Sequence, residues 1–404
     1  MPAGSIEKMK YAFSWGADAC YLGLVDFSLR ALRKGELIDE SNLKTAVEIA
    51  NSLNKKVYCT LNIFAYDSDI EKLYSTLDII KEANPHALII SDFGIYRIVK
   101  KYLPDIDIHI STQTNTLNSE AVKFWRDLGA KRVILARELS YKKIEKIRHE
   151  VPDIELEIFI HGAQCMAYSG RCLLSDYMTK GEREANQGNC AQACRWSYKL
   201  LEETRPNEYF EVVQDDKGSH IMSTKDLCLV RHIKKIEELG IDSLKVEGRT
   251  KSLYYVSAAA KAYRKVLDNV WNSDFAFEEL KKVGNRGYTE GFFMDNNNST
   301  SYSYDISKGL AGADFLGIFL DKKEENTYKL LIKNKIMLND EIEIITPNYS
   351  TLATVKKIIS EKTGEQDRAN TNDEIYLEFE CQDKEWEKES NWALARTKGL
   401  KEFK

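Results

Sequence analysis

Lys56-Val-Tyr-Cys-Thr-Leu-Asn-Ile63, then Ile70, Leu73, Tyr74, Leu77 and Ile80 at helical spacing, then Ala87-Leu-Ile-Ile-Ser-Asp92: this stretch decides the fold. A short apolar run, an amphipathic helix pattern behind a capping Asp69 and a second apolar run form one strand–helix–strand unit. The unit repeats in both directions. Further strand patterns lie at Ala19–Leu24, Ile108–Thr114, Arg132–Leu139, Glu155–Gly162 and Ser243–Gly248. Helical stripes run through Leu43, Ala46, Val47, Ala50 and Leu53, and through Leu117, Ala121, Phe124, Trp125 and Leu128. Repeated units of this kind imply a parallel sheet covered by helices. Seven strands are visible, and Met1–Ser5 reads as the tail of an eighth. The expectation is therefore an α/β fold, a TIM-like (β/α)8 barrel, with an open doubly wound sheet as the alternative. No glycine-rich dinucleotide fingerprint marks a crevice of the open kind, which favours the barrel.

The rhythm breaks at 163–222 and changes character late in the chain. Asn296–Ser303 is polar and aperiodic, a linker pattern. From Gly309 onward five short β patterns follow: Phe315–Leu320, Tyr328–Lys333, Asp340–Thr346, Leu352–Ile359 and Glu374–Phe379. They imply a small C-terminal β-barrel. The expected organisation is a barrel domain over 1–268 with the Cys-rich insertion at 163–222, a helical segment and linker over 269–308, and the β-barrel over 309–404.

Composition excludes several classes. Of 404 residues, 43% are hydrophobic and 30% charged, so a large core is available and wholesale disorder is not expected. No stretch approaches the roughly 20 apolar residues of a membrane helix, and no apolar run follows Met1. A soluble, unexported, cytoplasmic protein is expected. The net charge of −5 argues against a histone-like grip on nucleic acid. It is unevenly spread: 309–404 carries −4 and 225–271 carries +4.

The cysteines speak most directly about chemistry. Of 8, four fall in the pattern Cys165-x6-Cys172-x17-Cys190-x3-Cys194, and Cys228 follows. In an unexported chain such clustering points to a metal or redox centre rather than disulfides. Four thiolates hold zinc or ligate an iron–sulfur cluster. The irregular spacing lacks paired CxxC knuckles and suits the cluster better, with zinc the alternative. The insertion leaves the strand ending at Gly162, on the face where barrels of this type keep their active sites. Strand ends on that face are polar: Asn62, Asp92, Gln113, Asn115, Arg137, Glu138, His161, Lys245, Glu247 and Arg249. HExxH, GxSxG and phosphate-loop motifs are absent from the sequence. Cys165 and His161, four apart, are the remaining pair for a cysteine peptidase.

Glu157-Ile-Phe-Ile-His-Gly-Ala-Gln-Cys-Met-Ala-Tyr-Ser-Gly-Arg-Cys-Leu-Leu-Ser175 resembles the signature of the collagenase-like unassigned-peptidase (peptidase U) family, with Gln164 departing at an apolar position. The blocks Asn186–Tyr198, Ser243–Ser252 and Arg286–Phe292 are similar to that family's tRNA-modifying branch, and the likeness runs from Pro2 into the C-terminal barrel. The resemblance implies prephenate-dependent hydroxylation of the tRNA wobble uridine to 5-hydroxyuridine, with a 4Fe–4S cluster. Sister branches hydroxylate ribosomal RNA or serve oxygen-independent ubiquinone synthesis, and the oldest label is peptidase. By motif the metal ligands are Cys165, Cys172, Cys190 and Cys194, with Cys228 a fifth candidate for four places.

The residues fit that implication. A small dianionic co-substrate needs cations, and Arg30, Arg137, Lys245 and Arg249 supply them, with Asn62 and Gln113 as polar contacts. Arg137, His161, Lys245, Glu247 and Arg249 are the catalytic candidates. A splayed uridine of the anticodon loop would stack on Tyr168, Trp196 or Tyr198, with Arg171, Lys180, Arg195 and Lys199 near phosphates. A redox enzyme acting on RNA, a cysteine peptidase and a zinc-stapled RNA-binding module differ in an observable way. The first is brown when purified without oxygen, the second cleaves peptides without metal, and the third is colourless with zinc.

Overall fold

A computed structural model of the chain describes residues 1–24, 27–28, 40–165, 173–180, 182–183, 185, 190–195, 213–215, 218–220, 224–248, 251–294 and 312–399. Two compact units emerge. One comprises 1–13, 18–251 and 285–309, the other 14–17, 252–284 and 310–404. This partition differs from the expected boundaries at 268 and 309, because the long helix after Ser252 packs with the C-terminal unit. Asn296–Ser303 lies outside the described residues.

The first unit is mixed α/β. Its chain order is α1 (Ile6–Ser14), β1 (Ala19–Gly23), α2 (Glu40–Ser52), β2 (Lys56–Leu61), α3 (Asp67–Ala83), β3 (Ala87–Ile90) and α4 (Phe93–Tyr102). β4 (Ile108–Ile110), α5 (Ser119–Asp127), β5 (Arg132–Ile134), α6 (Tyr141–Glu150) and β6 (Glu155–Gly162) follow. Neighbours β1 to β6 pair in parallel, in sequence order. Strands buried on both faces need continuous apolar runs, and β3 is buried at every position.

Beyond β6 come α7 (Leu174–Met178), a hairpin of β7 (Val213–Asp215) with β8 (Gly218–His220), β9 (Asp226–Cys228), α8 (Ile233–Glu238), β10 (Ser243–Val246) and β11 (Tyr288–Thr289). β10 joins β6 in parallel, whereas β9 meets the end of β6 antiparallel and carries β11. Pro2 bridges Tyr21 of β1. Among the described residues no ladder joins β10 to Met1–Ala3, so the hydrogen bonds draw a parallel sheet and not a closed eight-stranded ring.

Two local expectations change. Asp69 lies inside α3, where its carboxylate accepts the Tyr66 N–H at 2.8 Å. α5 buries Val122 and Trp125, while Phe124 of the expected stripe is half exposed. The cause is Trp125, which takes the core position between Tyr96 and Phe93.

The second unit opens with α9 (Leu253–Leu267) and α10 (Ser273–Lys281). Its strands are β12 (Phe315–Glu324), β13 (Thr327–Ile332), β14 (Ile336–Met337), β15 (Glu341–Ile345), β16 (Ser350–Ser360), β17 (Gly364–Gln366), β18 (Arg368–Ala369), β19 (Glu374–Cys381) and β20 (Leu394–Thr397). Antiparallel pairings β15–β20–β12–β13–β19–β16 return to β15, closing a six-stranded barrel. The five expected strands are present, and β20 is the sixth that closes the ring. Closure leaves no long open edge. The core is filled by Phe319, Tyr328, Phe379 and Trp386 among aliphatic side chains.

Candidate functional site

Parallel pairing puts the carboxyl ends of β1–β6 and β10 on one edge, and the two-residue period sends alternate side chains inward. Tyr21, Thr60, Ile89, Ile134, Phe159 and Lys245 all line one cavity, joined by Ser28, Asn62, Ser111, Thr112, Gln113, Arg137 and Glu247. The space between them is open to solvent on one side. Side chains from β1 and β10 meet there: Lys245 Nζ sits 4.2 Å from the Tyr21 ring centre, and Tyr21 Oη donates to the Val246 carbonyl at 2.9 Å.

Among the described residues the cavity carries two cations, Arg137 and Lys245, beside Glu247 and a rim of neutral hydrogen-bonding groups. Arg137 lies flat against Phe159, its guanidinium 4.0 Å from the ring centre, with a terminal nitrogen 3.8 Å from Glu247. Stacking of this kind fixes the plane of the fork. Ser28 and Thr60 hydroxyls are 2.6 Å apart, and the Thr112 hydroxyl donates to the Leu135 carbonyl at 3.1 Å. Lys245 is anchored by Glu157 at 2.7 Å. Burial holds the Lys245 ammonium below the ordinary lysine range, and Glu157 works against that.

The structure thus brings together Asn62, Gln113, Arg137, Lys245 and Glu247 of the expected site. Arg30, Arg249 and Cys172 lie outside the described residues, as do Tyr168, Arg171, Trp196, Tyr198 and Lys199. His161 is not in the cavity wall. It sits 1% exposed beyond Phe159 on β6, opposite Cys228 of β9 and 5.3 Å from the Tyr288 ring. Burial pushes its imidazole down to about 4, against the pull of Asp226, so it is neutral at pH 7. Asp226, itself buried, pairs with Arg286 and donates its backbone N–H to the Gly287 carbonyl at 2.9 Å. The 286–292 block is thereby tied to β9. Gly291, at φ +58°, comes close enough to the Gln164 amide that a Cβ would sit 3.1 Å from it.

Sequence reasoning missed Glu157, Arg132 and His109. Each shares the inward phase of its strand with a cavity-lining residue, Glu157 with Phe159, Arg132 with Ile134 and His109 with Ser111, and that phase was the available signal.

The cysteine segment is organised by Ser175. Its hydroxyl, 1% exposed as a residue, donates to the Arg183 carbonyl at 2.6 Å and accepts the Ala191 N–H at 2.8 Å. Arg183 in turn donates to the Cys190 carbonyl at 3.1 Å. Cys165 is exposed, Cys190 and Cys194 are half-buried, Cys228 is buried, and all four are unbridged thiols. The Gln192 N–H donates to the Cys190 sulfur at 3.3 Å. By the chemistry of these donors, soft, unbridged and partly accessible, the set fits a thiolate-bound metal centre. Among the described residues no three His, Cys, Asp or Glu side chains already converge as a cage.

Fold and site together define a two-unit α/β protein with a cation-bearing cavity at the carboxyl ends of parallel strands and a thiol-rich excursion issuing from one of them. The model of peptidase family U32 matches residues 4–303, and that of the family's C-terminal domain matches 312–389; the chain belongs to this family. It is 38% identical to the tRNA hydroxylation protein P of Haemophilus influenzae, over 91% of this chain and 90% of that one. It is 37% identical to the protein of that name in Escherichia coli K12, over 89% and 88%. The 23S rRNA 5-hydroxycytidine C2501 synthase of Escherichia coli K12 is 33% identical over 77% of this chain and 46% of its own. No helix among the described residues is long and apolar enough to cross a membrane.

Proposed function

We propose that this protein is an RNA-modifying enzyme that hydroxylates tRNA, converting the wobble uridine of the anticodon loop to 5-hydroxyuridine with prephenate as co-substrate. The observation that carries the reading is the 37–38% identity, over about nine-tenths of both chains, to proteins named for tRNA hydroxylation. The cavity supports it. Arg137 and Lys245 bring two positively charged side chains to one concave site, which suits a dicarboxylate. Asn62, Gln113, Ser28 and Thr112 offer donors and acceptors for hydroxyl and carbonyl groups. Glu247 beside Arg137 is the carboxylate best situated to accept a proton in that cavity.

A 4Fe–4S cluster would be held by Cys165, Cys172 and Cys190, with Cys194 or Cys228 as the fourth ligand, and would supply one-electron redox chemistry when bound. The Ser175–Arg183 contacts hold the Cys190 segment for that purpose. The parallel sheet and the Pro2–Tyr21 bridge are compatible with closure into a (β/α)8 barrel, with Met1–Ala3 as the eighth strand. A tRNA substrate implies work in the cytoplasm.

Nucleoside mass spectrometry of tRNA from a deletion strain, before and after complementation, tests the reading. Loss and recovery of 5-hydroxyuridine-derived nucleosides supports it. Unchanged tRNA with loss of an rRNA hydroxylation replaces it by the sister reading. Unchanged RNA with cleavage of collagen-like peptides by the purified protein restores the peptidase label.

A further inference from the structure

Behind the cavity wall lies a charge cluster that the proposed chemistry leaves unexplained. Three neighbouring strands each send one charged side chain into an apolar interior: Arg132 from β5, Glu157 from β6 and Lys245 from β10. An isolated carboxylate there would be prohibitively costly, so its partners matter. Glu157, 2% exposed, accepts from Lys245 Nζ at 2.7 Å, from Arg132 at 3.0 Å and from the Ser243 hydroxyl at 2.7 Å. Arg132 has a second anion, Glu155, which takes two of its N–H groups at 2.6 and 2.8 Å. The charges therefore pair off: Glu155 balances Arg132, and Glu157 balances Lys245.

We infer that Glu157, although outside the cavity wall, is the positioning residue that keeps Lys245 charged and held at the cavity. The inference rests on the reading of that cavity as a site for a dianionic co-substrate, for which a charged Lys245 is one of two cations. Burial and two guanidinium groups, Arg132 and Arg137, otherwise oppose a positive charge on Lys245. His109, pushed down to about 3 by burial, is neutral. Glu247 shares the cavity but sits with Arg137. Without the Glu157 carboxylate, burial and these neighbours would push the lysine further down.

Cyanate adds only to a neutral amine, so carbamylation of Lys245, followed by peptide mass spectrometry on the folded full-length protein, reads this charge directly. At pH 7, Glu157→Gln is expected to speed carbamylation about tenfold or more, the factor for each pH unit by which the lysine is released. Glu157→Asp, which keeps the charge, is expected to return toward the wild-type rate. At fixed total cyanate the wild-type rate is expected to stay level through pH 7, because the reacting isocyanic acid falls as the neutral amine rises. Equal rates in wild type and Glu157→Gln overturn the inference. A wild-type rate that falls about tenfold per pH unit from pH 6 upward, as it must for an amine already neutral there, also overturns it, and that needs no variant to fold. Calorimetric titration with prephenate separates the two ideas. Weaker binding by Glu157→Gln that recovers as pH falls from 8 to 6 supports both. Wild type that does not bind prephenate, with the carbamylation contrast intact, overturns the co-substrate reading and supports the role of Glu157.

Discussion

Arg396→Met removes a guanidinium on which the C-terminal unit depends. Arg396, on β20, is 2% exposed. It donates to Glu343 of β15 through two nitrogens at 2.8 and 2.9 Å, to Glu279 of α10 at 2.6 Å and to the Tyr254 hydroxyl of α9 at 3.1 Å. Methionine fills much of the volume but leaves two carboxylates short of a counter-charge. Breaking a buried pair from one side costs about 3–5 kcal/mol. Lys282 stays 2.6 Å from Glu279 and 3.6 Å from Glu343, so the lower end, about 3 kcal/mol, is expected.

The same contact carries a pH signature. Burial alone would raise the Glu343 carboxyl, but its bonds to Arg396 hold it down at about 2, against an ordinary value of 4.5. A depressed carboxylate stabilises the fold above its unfolded value and loses that contribution as pH falls toward its folded value. The window is thus pH 4.5 down to about 2, and the contribution is at most about 3 kcal/mol, since 13% of the side chain still meets water. Native-state hydrogen exchange read by mass spectrometry resolves β15 and β20 peptides without assuming that both units unfold together. At neutral pH, Arg396→Met should speed their exchange about a hundredfold, and the variant should lose the acid sensitivity between pH 4.5 and 2. Unchanged exchange in those strands, or an unchanged acid profile, would refute the reasoning.

Arg137→Ala removes the cation stacked on Phe159. It should weaken prephenate binding about tenfold or more by calorimetry, while tRNA affinity stays within about twofold. Cys190→Ala should abolish the visible chromophore of protein prepared without oxygen. Between Cys194→Ala and Cys228→Ala, the variant that keeps its colour and iron identifies the non-ligand. Asp92 caps α4 by accepting the Ile95 N–H at 2.9 Å, so Asp92→Ala should cost about 1 kcal/mol, read as faster exchange confined to α4 peptides.

Much of the architecture is legible in the chain because the relevant physics is local. β3 is apolar at every position since a parallel strand is covered on both faces, and the helix between β2 and β3 shows its stripe because only one face is covered. Asn62, Gln113, Arg137, Lys245 and Glu247 were legible for a related reason: each follows or ends an apolar run, and parallel strands share a carboxyl edge. Asp69 was misjudged by three residues, because a carboxylate suits both the cap and the first helical turn, where Asp69 reaches back to the N–H of the cap residue Tyr66.

Neighbours along the chain are enough to write the strand–helix alternation, the change to β patterning near Gly309 and the clustering of thiols. Tertiary structure alone decided the pairing of distant charges. Glu157 meets Lys245 across 88 positions, and Arg396 reaches Tyr254 across 142. It also moved α9 and α10 into the C-terminal unit and left His161 out of the cavity wall. A buried charge is tolerated only where folding delivers its counter-charge, and no periodicity in the chain records which remote residue that is.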